Sequence, residues 1–213
     1  MNEPLDKRLQ MYMVSKAVNW MPFGPVWDSS AKKLEDALRA RGIKLPKKLY
    51  YEYRLPGGMK PSALMNKLVM QYFVTNFFSS FAGRVLADKK LSMSDKAKIF
   101  KYVWNKRSEY KNLIEQYEKQ IRMDNPELAN LKTKNATDFV YGVTFGFAPA
   151  ELEYFANPEN RDSNAENKVY NTLKRYGITP GYVLAPDTAK MVIAALKQKA
   201  LEQKARSSNI KEI

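Results

Sequence analysis

Residues 61–87 read PSALMNKLVMQYFVTNFFSSFAGRVLA, the most apolar long stretch of the chain, and its pattern decides the fold class. Gly57 and Gly58 interrupt the backbone just before it, and Pro61 suits a first helical turn with Ser62 beside it, so a helix is expected from Pro61 onward. No formal charge falls between Leu68 and Gly83. Leu64, Leu68, Phe73, Val74, Phe77, Phe78, Phe81, Val85 and Leu86 cover more than one helical face, which leaves a polar strip of Lys67, Gln71, Thr75 and Ser79 at i, i+4 spacing. A helix apolar nearly all round belongs inside a bundle or inside a bilayer. The uncharged run is shorter than the about 20 apolar residues a span requires, and it contains Gln71, Asn76, Ser79 and Ser80; a bundle core is expected and membrane insertion is not.

Working outward, the flanking sequence also reads as helices. Leu5, Leu9, Tyr12 or Met13, Lys16 and Trp20 recur at helical spacing over residues 4–20, and MPFGP at 21–25 ends that element. Asp28 or Ser29 can cap a helix through Arg41 whose buried side is Leu34, Ala37 and Leu38, with Gly42 as its stop. In LYYEYRL, Leu49, Tyr51, Tyr53 and Leu55 alternate with Tyr50, Glu52 and Arg54, the period of a short extended segment, although no partner strand is evident. SMSD at 92–95 places Ser92 and Asp95 at capping-box spacing and opens a long charged helix to about Arg122. Its heptad series of Val103, Tyr110 and Tyr117 is too short for a coiled coil, so it should lie along the bundle. Beyond the DNPEL break at 124–128, short helices are expected over 137–145, 149–156, about 165–176 and 186–206. FGFAP at 145–149 and YGITP at 176–180 share one punctuation: helix end, Gly, apolar plug, cap position and Pro. ARGIKLP at 40–46 is a looser version of the same corner. The expected architecture is mainly α, an irregular multi-helix bundle around a central apolar helix. It forms a single helical domain over residues 1–213, with at most one short extended segment and a frayed tail at 207–213.

Composition removes many chemistries. The chain has 213 residues with neither Cys nor His, so disulfides, thiolate catalysis, sulfur-ligated metals, imidazole triads and His-ligated zinc are all excluded. No cofactor and no metal ligand set is expected. Catalysis would rest on carboxylates, yet Glu151 and Glu153 point to different sides of one helix and Glu115 and Asp124 are separated by a helix end, so a non-enzymatic role is expected. The N-terminus MNEPLDKRLQ begins charged and lacks an apolar signal core. That suggests a cytoplasmic protein or one delivered without a cleaved signal.

Charge then points to a partner. Lys and Arg number 36 against 22 Asp and Glu, a net charge of +14. Residues 1–60 and 61–124 each carry 12 basic and 6 acidic side chains, whereas 125–185 carry 6 and 7. A positive excess of this kind favours nucleic acid or another polyanion, and among polyanions nucleic acid stands first here. The candidate nucleic-acid-binding residues are Arg39, Arg41, Lys44, Lys47, Lys48, Tyr50, Tyr53, Arg54 and Lys60, cations that neutralise phosphates interleaved with rings on which bases stack. If this segment is extended, Tyr51 and Tyr53 face one way while Tyr50 and Arg54 face the other. Three other features carry weaker expectations. The corner at Gly146 resembles a helix-turn-helix in shape, but its outward residues include Glu151 and Glu153 and no cation, the wrong field for phosphate. PGGMKPS at 56–62 places two glycines before a helix without phosphate-loop spacing. Lys89, Lys90, Lys96, Lys98, Lys101, Lys106, Arg107 and Lys111 scatter around the long helix as a solvated surface. The alternatives to nucleic-acid binding are a helical adaptor or assembly component that takes a protein partner through a groove, and a peripheral protein on anionic membrane.

Overall fold

The computed structural model describes residues 5–20, 30–76 and 82–209. Within them the protein is mainly α-helical, with nine α-helices and no β-strand among the described residues. The helices are α1 (Lys7–Trp20), α2 (Ser30–Ala40), α3 (Pro61–Asn76), α4 (Ala82–Ala87), α5 (Met93–Asp124), α6 (Ala136–Thr144), α7 (Pro149–Phe155), α8 (Ser163–Arg175) and α9 (Pro186–Asn209). MPFGP at 21–25, the caps at Asp28 and Ser29, and Phe77, Phe78, Ser79, Ser80 and Phe81 lie outside the described residues, as do the side chains of Phe73 and Thr75. The chain forms two compact units, one of Met1–Trp27 and Arg54–Pro126, the other of Asp28–Tyr53 and Glu127–Ile213.

In the first unit α3 packs against both α1 and α5. Leu64, Met65, Leu68, Val69, Gln71 and Val74 are all buried, so α3 is enclosed more than half the way round. Gln71, expected on a polar strip, is 7% exposed; enclosure by two neighbouring helices overrides the strip. The buried side chains of these neighbours include Leu9 and Met13 of α1 and Ile99, Val103, Ile114 and Ile121 of α5, and each such side chain withdrawn from water contributes about 1.5–3 kcal/mol. The ends of α5 are fixed by polar groups. Ser92 Oγ accepts the Asp95 N–H at 3.1 Å, Asp95 takes Arg8 at 2.8 Å, and buried Lys96 donates to the Leu86 carbonyl of α4 at 2.6 Å. At the other end, buried Asn125 accepts the Arg54 N–H at 2.8 Å and donates to the Arg54 carbonyl at 3.0 Å. A side-chain amide thus stands in for a strand partner.

In the second unit the core joins Leu34, Leu38 and Ile43 of α2 and its corner to Leu173, Ile178, Val192 and Leu196 of α8 and α9. Three corners repeat one geometry. Gly42, Gly146 and Gly177 all have φ of +69°, their N–H groups bond three residues back, and the following Ile43, Phe147 and Ile178 bond five back to Leu38, Gly142 and Leu173. This is the Schellman closure, and each plug residue is buried. Pro149 begins α7 as expected. Pro180 does not begin a helix, because α9 starts six residues later at Pro186. The extended segment pairs once, Tyr50 opposite Phe147, with the Tyr51 N–H on the Gly146 carbonyl at 3.0 Å. α9 runs through Asn209, three residues into the stretch read as a frayed tail; residues 210–213 lie outside the described residues.

Candidate nucleic-acid interface

The candidate segment is divided between the two units: Arg39 to Tyr53 belong to the second, Arg54 and Lys60 to the first. In the second unit, residues 41–50 form a connector held by one side chain of α2. Glu35 Oε2 accepts the N–H groups of Leu49 at 2.9 Å and Tyr50 at 3.1 Å, while its Oε1 takes Arg39 at 2.9 Å. A carboxylate accepting two backbone N–H groups fixes a loop as a strand partner would. Leu49, 1% exposed, anchors the same place from inside. Arg41 donates to the Ala37 carbonyl at 2.8 Å and to the Gly177 carbonyl at 3.2 Å, tying the end of α2 to the end of α8.

These bonds sort the candidate cations. Arg39 is paired and Arg41 is engaged with carbonyls, although both remain exposed. Lys44, Lys47 and Lys48 are exposed and make no ion pair among the described residues. Arg54 is exposed with its backbone held by Asn125. Lys60 is exposed, and its carbonyl receives the first N–H groups of α3 from Ala63 and Leu64.

The rings sort differently from the cations. Tyr51 and Tyr53 stack on each other at 5.9 Å with 12° between planes, so they do lie on one side of the connector. Tyr53 donates its hydroxyl to the Phe147 carbonyl at 2.7 Å, and burial holds its pKa far above the usual phenol value. Tyr50 lies against Gly146, bonds Glu52 at 3.4 Å and has Lys32 over its ring at 5.8 Å. Tyr50 and Tyr53 therefore dock this stretch of chain onto the helical scaffold, while Lys44, Lys47 and Lys48 stay exposed.

Other sequence candidates resolve into structural parts. Glu151, read as facing outward from the helix-turn-helix corner, is 0% exposed. It accepts the Ala185 N–H and bonds Thr188, which closes the N-terminus of α9 from a neighbouring helix, and burial raises its pKa despite those donors. With Glu151, Leu152, Tyr154 and Phe155 all buried, α7 has little face to offer a groove. The corner needs Gly142 for close packing: a Cβ there would come within 2.5 Å of Leu152 and 2.9 Å of Phe147. At the PGG turn the N–H groups of Gly58 and Met59 bond back to Leu55 and Pro56, which occupies the amides a phosphate would require. On α5, Lys96 is buried and Lys106 pairs with Glu109.

Two features had no sequence signal. Glu35 acts on residues 14 and 15 positions away, beyond any helical spacing. Between α8 and α9 lies an open groove of about 430 Å³, lined chiefly by Val169, Leu184, Pro186, Ala189 and Ile193, with Glu166, Lys190 and Lys197 as its charged lining. Among the described residues no three acidic side chains gather as a metal site, and no helix is long and apolar enough to cross a membrane. Comparison of the chain with protein-family profiles, characterised proteins and solved structures finds no match.

Proposed function

We propose that this chain binds nucleic acid through its phosphate backbone, with Lys44, Lys47 and Lys48 as the principal contacts and Arg39 and Arg41 as flanking charge. The observation that carries this reading is the connector itself. Three exposed lysines without an acidic partner stand on a backbone that Glu35, Leu49 and the tyrosines hold in place. Cations on a fixed backbone lose less conformational freedom on binding than cations on a free loop. Because Tyr50 and Tyr53 are engaged by the scaffold, contact here is with phosphate and not with base faces, and sequence preference should be slight. Fluorescence anisotropy with a labelled oligonucleotide tests it. Lys47→Glu with Lys48→Glu should weaken binding at least about tenfold, and unchanged affinity would overturn the reading.

A second reading, a helical adaptor, is favoured by the α8–α9 groove. Its mostly apolar lining, with Lys190 and Lys197 beside a Glu166 already paired to Arg161, suits an apolar helix flanked by acids. Ala194→Glu in the groove should abolish such a complex while leaving oligonucleotide binding intact; a complex that survives this substitution would count against the groove.

A further inference from the structure

α5 of the first unit exposes Trp104, whose residue surface is 67% accessible. Tryptophan is highly buried on average, so an indole left on the outside of a charged helix is informative. Its helical neighbours are also unusual. Lys101 lies at i−3, Arg107 at i+3, Ser108 at i+4 and Lys111 at i+7, positions that share its side of the helix or flank it. All four are exposed, and Lys101, Arg107 and Lys111 make no ion pair among the described residues. Glu115, one turn beyond Lys111, ends the positive stretch. The buried side of α5 is made instead by Ile99, Val103, Ile114 and Ile121.

We infer that Trp104, with Lys101, Arg107 and Lys111 around it, forms a binding surface for single-stranded nucleic acid. The indole offers a flat face on which an unpaired base stacks, and the cations at one-turn intervals track the phosphates on either side. Duplex bases are already stacked on each other and offer no free face, so the surface selects single strands. An anionic bilayer fits less well, since interfacial helices bury a continuous apolar face, and although Phe100 and Ala97 precede the indole on its side of the helix, Lys101, Arg107, Ser108 and Lys111 surround and follow it. The inference rests on first-unit residues alone and is independent of the connector lysines.

The test uses the full chain with a labelled single-stranded oligonucleotide and the duplex of the same sequence, with vesicles containing anionic lipid as a third probe. Trp104→Ala should weaken single-strand binding by about 5- to 150-fold and leave duplex binding and the salt dependence nearly unchanged. Trp104→Phe, which keeps a ring, should recover most of the loss. Lys101→Gln with Lys111→Gln should lower the single-strand salt slope by about 1.4. The inference is overturned if Trp104→Ala leaves single-strand affinity unchanged, if Trp104→Phe is as damaging as Ala, or if only vesicle binding responds. Lys47→Glu with Lys48→Glu, measured on the duplex, reports on the connector separately, so either site can fail without the other.

Discussion

Individual glycines of this chain do different work, and substitution separates them. Gly146 and Gly177 have the same φ, but a Cβ at Gly146 would strike the Tyr50 ring and come within 2.6 Å of the Tyr51 carbonyl, whereas one at Gly177 would meet only Arg41 at 3.6 Å. Backbone cannot move aside as a flexible side chain can. Gly146→Ala should therefore cost about 2–4 kcal/mol and Gly177→Ala about 1–2 kcal/mol, read from urea unfolding; equal costs would mean that the connector does not press on the corner. Asp138 gives a pH signature. Half-buried in the first turn of α6, it has its pKa raised by burial to about 6, although Arg161 pulls the other way. The folded protein holds this proton where an unfolded chain, near 3.8, has released it. Stability from this group is thus complete at low pH and lost as pH rises through about 6. Asp138→Asn should raise the melting temperature at pH 7, with the advantage over wild type closing as pH falls toward 4; an advantage that does not change with pH would contradict the assignment.

Among the elements, the connector is held by a single acceptor side chain, Glu35. Glu35→Ala removes the acceptor for the Leu49 and Tyr50 N–H groups. Hydrogen exchange at those two amides should accelerate by at least about tenfold, and oligonucleotide affinity should fall. By charge alone, loss of a carboxylate would strengthen a phosphate contact, so weakening isolates the loss of order; tighter binding would show that order does not matter. Most helices could be read directly. Ser92 and Asp95 marked the start of α5, and the Gly-plug pairs at 42, 146 and 177 marked corners that all close alike, because those signals are local and concern only the backbone of the same few residues. The fates of Gln71, Glu151, Lys96 and the tyrosines were not legible, because each is settled by a group distant in sequence: two enclosing helices, the N-terminus of α9, the Leu86 carbonyl, and Gly146 with Phe147. The candidate cations were readable as a run in sequence, which the structure divides between the two units. Arg39 pairs with Glu35 at the legible i,i+4 spacing, but the tie of Arg41 to the Gly177 carbonyl was not legible, since its acceptor lies 136 positions away.

At the scale of the whole molecule, charge is shared unevenly between the two units. The first carries 17 basic and 8 acidic residues, the second 19 and 14, so +9 of the net +14 belongs to the first. The second unit presents its smaller excess locally, on the connector, whereas the first spreads its cations over α5 and around Trp104. A protein charged this way should associate with any polyanion at low ionic strength, which makes affinity at one salt concentration a poor test. The decisive measurement is the salt dependence of duplex binding for wild type and for Lys44→Gln, Lys47→Gln and Lys48→Gln combined. Counterion release gives log K falling linearly with log salt, and removing three phosphate contacts should flatten the slope by about 2.7. A slope identical in both proteins would contradict the central claim that these lysines hold the phosphate backbone.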